Sequence, residues 1–340
     1  MHPQLFDWLG IPFPSYFTMV AIGFVVATGV GALWAKRVGH DPDVVVDLGI
    51  AMVLAGVVGA RLLHVIADGY FWDYVHLCTD PSKVAWHISA DECLPPDYPS
   101  GAVDWARVQA YFGCGQTTVG AFGTWDALRQ VCVPAPDRDW LEHMDRCLEW
   151  AKPWAGGLTY YGGFIGASVA AIFVLRRDRF PFWRAADMAG FVVPLGLAFG
   201  RMGCLLGGCC FGAPTTKPWG LIFPGHSPAS DSEFKLGLIA SPSHPSLPLH
   251  PTQVYESAAA LGIAALTGLV LHGRKRYDGQ VFLSFVVLYA VVRFGLEFVR
   301  SDDRGGLLGL STSQLIGMAL VVAVLVVHRA RLERVGQGTP

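Results

Sequence analysis

The sequence predicts an all-α polytopic membrane protein with seven transmembrane helices, the N-terminus outside and the C-terminus inside. Three observations predict it. Of the 340 residues, 52% are hydrophobic and only 15% are charged, whereas soluble domains carry nearer a quarter charged residues. Long apolar runs recur without the alternation of strands, and in lipid only helices and closed barrels satisfy their own backbone groups. Basic residues collect in every second connection between those runs, the asymmetry that orients membrane helices. A chain of this length can bury a large core, so its apolar content is not forced by small size. The formal net charge of −2 leaves no electrostatic footprint for nucleic acid.

The first run, 14–35, has no basic segment before it and is followed by Lys36 and Arg37, the reverse of the order in a secretory signal. It is expected to be a retained span entering from the outside. In the second run, 44–67, Arg61 and His64 lie near the outer end. They read as side chains snorkelling to the interface, with Arg61 open to a functional role. An extracytoplasmic insert, 68–154, then carries Cys78, Cys93, Cys114, Cys132 and Cys147, and short helices are expected within it at 101–111 and 137–150. Two disulfides and one odd thiol suit an oxidising compartment, with the pairing open.

The third run, 155–175, begins near Tyr160 and Tyr161, and its glycines lower helix propensity. Arg176, Arg177, Arg179 and Arg184 separate it from the fourth, 186–206. A Pro-, Ser- and Gly-rich loop region, 207–250, leads to the fifth, 251–271, which Arg274, Lys275 and Arg276 follow. The sixth and seventh runs are 279–299 and 311–328, with Arg329, Arg331 and Arg334 after the last. Seven crossings put all four basic clusters on one side. Six or eight would not.

Charge inside these runs points to a site, because an intramembrane arginine costs roughly 2.5–3.5 kcal/mol unless it meets water, a headgroup or a partner. Arg201 follows PLGLAFG at the outer end of the fourth run, with Gly200, Gly203, Gly207 and Gly208 around it. In YAVVRFGLEFVR, Tyr289, Arg293, Glu297 and Arg300 recur at helical spacing and share one face. LHPTQVYES supplies His250, Gln253, Tyr255 and Glu256 at the start of the fifth run. A structural salt-bridge stripe would also explain part of this pattern. Two arginines around one glutamate nevertheless leave positive charge for a phosphate, and neither a dinucleotide nor a Walker motif is present. An outer-leaflet phospholipid headgroup fits this inventory.

At these residues the chain resembles the prolipoprotein diacylglyceryl transferase family. The likeness is carried by GRMGCLLGGCCFG with the following PWGLIFP, by HPTQVYE, and by YAVVRFGLEFVR. It covers nearly all seven runs, so the whole chain, 1–340, reads as one transferase-like membrane domain. The resemblance implies transfer of a diacylglyceryl group from phosphatidylglycerol to the cysteine thiol of a lipobox-containing secreted precursor. It implies a bacterial inner-membrane location with the site on the periplasmic face, no cofactor and no metal. A monomer is expected. The implied catalytic residues are Arg201, Arg293, Tyr289, His250 and Tyr161. The implied substrate-binding residues are Tyr16 (in FPSYFTM), Gly162, Gly163, Cys204, Cys209, Gln253, Tyr255, Glu256, Glu297 and Arg300.

Three positions depart from the family pattern. Tyr161-Gly162-Gly163-Phe164 stands where the family has His-Gly-Gly-Leu, Cys204 replaces an asparagine, and Cys209 replaces a glutamate. Tyrosine, with an ordinary pKa near 10, is a poor base at neutral pH, so another acceptor is a live reading. The cluster Cys204, Cys209 and Cys210 is open to a disulfide, a soft-metal site or a covalent intermediate. A membrane thiol-redox protein and a lipid transporter or binding protein are the alternatives from other classes.

Overall fold

The computed structural model describes residues 4–8, 11–67, 71–79, 123–126, 131–134, 150–151, 159–300, 306–307 and 310–336. The expected helices at 101–111 and 137–150 lie outside the described residues, apart from Trp150. The chain divides into two units, Met1–Gly49 with Leu175–Pro340, and Ile50–Val174.

The first unit opens with a hairpin, β1 (Gln4–Trp8) and β2 (Ile11–Pro14). The long helices follow: α1 (Ser15–Arg37), α2 (Pro42–Ala67), whose later part belongs to the second unit, and, after that unit, α5 (Phe182–Gly207). Helix α7 (Thr252–Ala265) continues through a π-turn and a 3-10 turn to Arg274. Helix α8 is Gln280–Leu296, extended by the turn Glu297–Val299, and α9 is Thr312–Gly336. A short hairpin, β5 (Gly306–Leu307) and β6 (Leu310–Ser311), precedes α9.

Helix α5 is the hub, packed on α1, α7 and α8. Small residues make this possible. A Cβ on Gly190 would lie 2.9 Å from the backbone nitrogen of Phe282, so α5 and α8 meet backbone to backbone. Near the other end of α5, a Cβ on Gly203 would come within 3.1 Å of the Tyr16 carbonyl oxygen, which draws the start of α1 onto the Arg201 turn.

The early end of α5 is anchored by charge. Asp187, fully buried, accepts from Lys275 Nζ at 2.7 Å and from the Val281 amide at 2.9 Å. Lys275 also donates to Asp278 at 2.7 Å, and Arg184 reaches the same carboxylate at 3.1 Å. The loop after α5 forms a small packed lobe around Phe223, Ala229 and Leu249, with α6 (Pro228–Lys235) capped by Ser227.

In the second unit α2 packs against α4 (Tyr160–Arg177) through glycine: a Cβ on Gly162 would stand 2.2 Å from the Gly59 carbonyl oxygen. This unit also holds α3 (Phe71–Thr79) and the hairpin β3 (Gly123–Asp126) with β4 (Val131–Pro134). Cys78 is disulfide-bonded. Arg61 does not snorkel. It is buried, donating from Nε to the Trp150 carbonyl at 2.8 Å and from Nη2 to the Tyr74 hydroxyl at 3.2 Å.

The chain is an all-α polytopic membrane protein, with six helices among the described residues long and apolar enough to span a bilayer. These are Ser15–Arg37, Pro42–Ala67, Phe182–Gly207, Thr252–Arg274, Gln280–Val299 and Thr312–Val335. Their outward faces carry side chains such as Leu269, 83% exposed, and Val25, 67% exposed, which suit acyl chains and not water. The expected span at 155–175 is the exception. It is helical as α4, 18 residues long and closed by Arg176 and Arg177, at the short end of the range of about 17–25 residues that cross the hydrocarbon core; residues 152–158 before it lie outside the described ones.

Candidate functional site

The last turns of α5, the first turn of α7 and the end of α8 converge in the first unit. Arg201 Nε lies 3.0 Å from Glu256 Oε2, and the glutamate side chain is 1% exposed. The other oxygen of Glu256 accepts from the Tyr289 hydroxyl at 2.7 Å. Arg201 on α5, Glu256 on α7 and Tyr289 on α8 are thereby linked through one buried carboxylate.

Arg293 follows Tyr289 by one helical turn, and Tyr289 stands within electrostatic reach of both Arg201 and Arg293. Arg293 Nη2 pairs with Glu297 Oε2 at 2.9 Å and donates to Ser313 Oγ at 3.4 Å. Its Nη1 is buried and has no hydrogen-bond partner among the described residues. Such a donor is costly to leave unmet. Each arginine already faces one carboxylate, so the excess positive charge is smaller than their number suggests.

The cysteines sit beside this group. Cys204 lies one turn beyond Arg201, and Cys209 and Cys210 follow the left-handed Gly208 that ends α5. All three are free thiols, and their sulfur atoms lie within 4.8 Å of one another. Hydrogen bonding with Cys204 and Cys209 pulls the Cys210 thiol far below the usual thiol range, while Cys209 is pushed up by its bonds to Cys204 and Cys210. The Arg201 and Arg300 charges act on Cys210 in the same direction.

The remaining expected residues take several roles. Gln253 is buried and donates to the Cys209 carbonyl at 2.7 Å, so it holds the thiol loop. His250 Nδ1 lies 3.2 Å from the Tyr255 hydroxyl, which accepts from Trp219 Nε1 at 2.7 Å. Tyr16, at the start of α1, is within electrostatic reach of Arg201 and the three thiols. Arg300 ends the turn after α8, its amide bonded to the Glu297 carbonyl at 3.4 Å. Tyr161, Gly162 and Gly163 belong to the second unit, where Tyr161 is exposed and Gly162 serves helix contact.

Sequence reasoning missed Thr252, which donates to the Cys210 carbonyl at 2.7 Å, and Ser313, which joins Arg293 to Glu297. Thr252 had a signal, since it lies inside HPTQVYE; Ser313 had none.

Fold and site together define a polytopic membrane protein with a buried arginine–carboxylate–tyrosine group at one end of its helices. A family model described as prolipoprotein diacylglyceryl transferase matches residues 3–87 and 139–329, and the chain belongs to that family. The phosphatidylglycerol–prolipoprotein diacylglyceryl transferase of Clostridium tetani is 24% identical over 337 residues, covering 98% of this chain and all of the relative. That of Geobacter sulfurreducens is 33% identical over 184 residues, 52% of this chain and 64% of the relative. One from Nitratidesulfovibrio vulgaris strain Miyazaki F is 37% identical over 157 residues, 44% of this chain and 50% of the relative. These last two alignments span less than two thirds of the relatives. Family membership supports enzymatic activity of this general type.

Proposed function

We propose that the protein transfers the diacylglyceryl group of phosphatidylglycerol to the cysteine thiol of a lipobox-containing precursor, as a monomer in a bacterial inner membrane. The site faces the periplasm, with the N-terminus outside and the C-terminus inside. The basic clusters after 35, 175, 271 and 328 support that orientation.

The reaction replaces a carbon–oxygen bond by a carbon–sulfur bond. The acceptor thiolate attacks the glycerol carbon that carries the phosphate, and glycerol phosphate leaves with the electron pair. Negative charge grows on the phosphate, so fixed cations beside it stabilise the transition state more than the ground state. Arg293, through its unmet Nη1, and the Nη groups of Arg201 supply that charge. Glu256 fixes the direction of Arg201, and Tyr289 fixes Glu256. Tyr16 and Arg300 border the place where the headgroup enters.

One observation carries this reading: Arg201, Glu256 and Tyr289 come from three separate helices into one linked group, with Arg293 a turn away. The test is incubation of the purified protein in liposomes with labelled phosphatidylglycerol and a lipobox peptide. Label on the peptide together with released glycerol phosphate is the expected result. Release of glycerol phosphate without labelled peptide would remove the acceptor assignment, and absence of both would remove the transferase assignment.

A further inference from the structure

We propose that Cys204, Cys209 and Cys210 bind one thiophilic divalent cation, Zn²⁺ being the natural probe, and leave a fourth position for the thiol of the acceptor. The second half of this statement rests on the transferase reading above; the first half does not.

The geometry is that of a nearly assembled three-sulfur site. The sulfur atoms lie within 4.8 Å of one another. Zinc–sulfur bonds of about 2.3 Å in a tetrahedron place sulfurs roughly 3.8 Å apart, a change that side-chain rotation supplies. The backbone beneath them is held firmly. The Cys209 amide donates to the Cys204 carbonyl at 3.1 Å, and the carbonyls of Cys209 and Cys210 are clamped at 2.7 Å by Gln253 and Thr252. Cys210 adopts φ +60°, a conformation that a non-glycine residue keeps only when its surroundings enforce it.

Sulfur donors select soft or borderline ions, and three protein ligands with one open position are the pattern of catalytic rather than closed structural zinc. Three thiolates around a divalent ion carry one net negative charge, which Arg201 and Arg300 offset. An acceptor thiol entering the fourth position would lose its proton to solvent, because a coordinated thiol is deprotonated outright. Its sulfur then forms the bond to the glycerol carbon as the carbon–oxygen bond to phosphate breaks. The released proton and the glycerol phosphate anion balance the step, and the neutral thioether, a weaker ligand, departs.

The test uses the full chain in detergent, prepared under reducing conditions. Titration with Co²⁺ should give an intense sulfur-to-metal charge-transfer band saturating at one ion per chain, reversed by Zn²⁺. Cys204→Ser, Cys209→Ser and Cys210→Ser should each weaken zinc binding by roughly tenfold or more, with helical content unchanged as the control for folding. No band in the unaltered, reduced chain overturns the site; this readout needs neither a variant nor turnover. Adding lipobox peptide to the cobalt form of Arg293→Ala should shift the band as a fourth sulfur binds. An unshifted band, or full transfer after metal is stripped from the unaltered enzyme, overturns the acceptor role while leaving the transferase reading intact.

Discussion

Arg201 and Glu256 face each other at 3.0 Å across the boundary between α5 and α7, the glutamate side chain 1% exposed and the arginine 20% exposed. A carboxylate buried to that degree is stable only beside its partner, and breaking such a pair costs about 3–5 kcal/mol when the charge left behind is fully buried. Glu256 is therefore the internal counter-ion that holds Arg201 in place. Glu256→Gln keeps the shape and removes the charge. It is expected to lower the thermal midpoint in detergent and to reduce transfer by about a hundredfold or more. The double variant with Arg201→Gln should recover part of the midpoint but none of the activity, and additive losses of stability would show that the two residues are not coupled.

Tyr289 donates to the same carboxylate at 2.7 Å. Tyr289→Phe leaves one buried oxygen of Glu256 without that donor, a loss of about 1–3 kcal/mol in stability. Transfer should fall with it, since the carboxylate that orients Arg201 is loosened. Measured against Glu256→Gln, the two variants together should be little worse than Glu256→Gln alone. An undiminished effect of Tyr289→Phe in the Glu256→Gln background would place the hydroxyl's role elsewhere.

Gly162 has no room for a side chain, because its Cβ would stand 2.2 Å from the Gly59 carbonyl oxygen. Gly162→Ala is expected to destabilise by about 1–3 kcal/mol as α2 and α4 are forced apart. Gly162→Ala assayed below its lowered midpoint should keep its chemistry if the glycine serves packing. Loss of turnover with an unchanged midpoint would instead give Gly162 a direct role with substrate.

Asp278 supplies a pH dependence outside the spans. Partial burial works against its charge, but hydrogen bonds from Lys275 and Arg184 outweigh this and hold the carboxyl below the usual aspartate range. A depressed folded-state pKa contributes stability above the unfolded value, near 3.9, and loses it as pH falls through the folded value. The midpoint should drop on acidification below about pH 4, and Asp278→Asn should flatten that part of the profile. An identical acid profile for the variant would assign the effect to other carboxylates.

How much of this was legible in the sequence follows from how local each signal is. Hydropathy is a sum over neighbours, so the spans at α1, α2, α5, α7, α8 and α9 could be read directly. The 155–175 run is harder to read, because glycines and two tyrosines open its helix and two arginines close it after 18 residues. HPTQVYE and YAVVRFGLEFVR named Glu256, Tyr289 and Arg293, yet periodicity cannot tell that Glu256 turns to Arg201 across helices. Gln253 reads as a substrate contact from its motif, and that motif does not announce that its amide nitrogen also donates to the Cys209 carbonyl. Arg61 stands open between snorkelling and a functional role because hydropathy does not foresee the Trp150 carbonyl and Tyr74 hydroxyl that bind it within its own unit.

The central claim is that guanidinium groups stabilise the departing phosphate of a phospholipid. Arg293, whose Nη1 is buried without a partner among the described residues, tests it most directly. In liposomes containing labelled phosphatidylglycerol and lipobox peptide, Arg293→Ala should release glycerol phosphate at least about a hundredfold more slowly than the unaltered protein, with Arg293→Lys falling between the two. Equal rates for Arg293→Ala and the unaltered protein, at equal amounts of folded enzyme, would contradict the account.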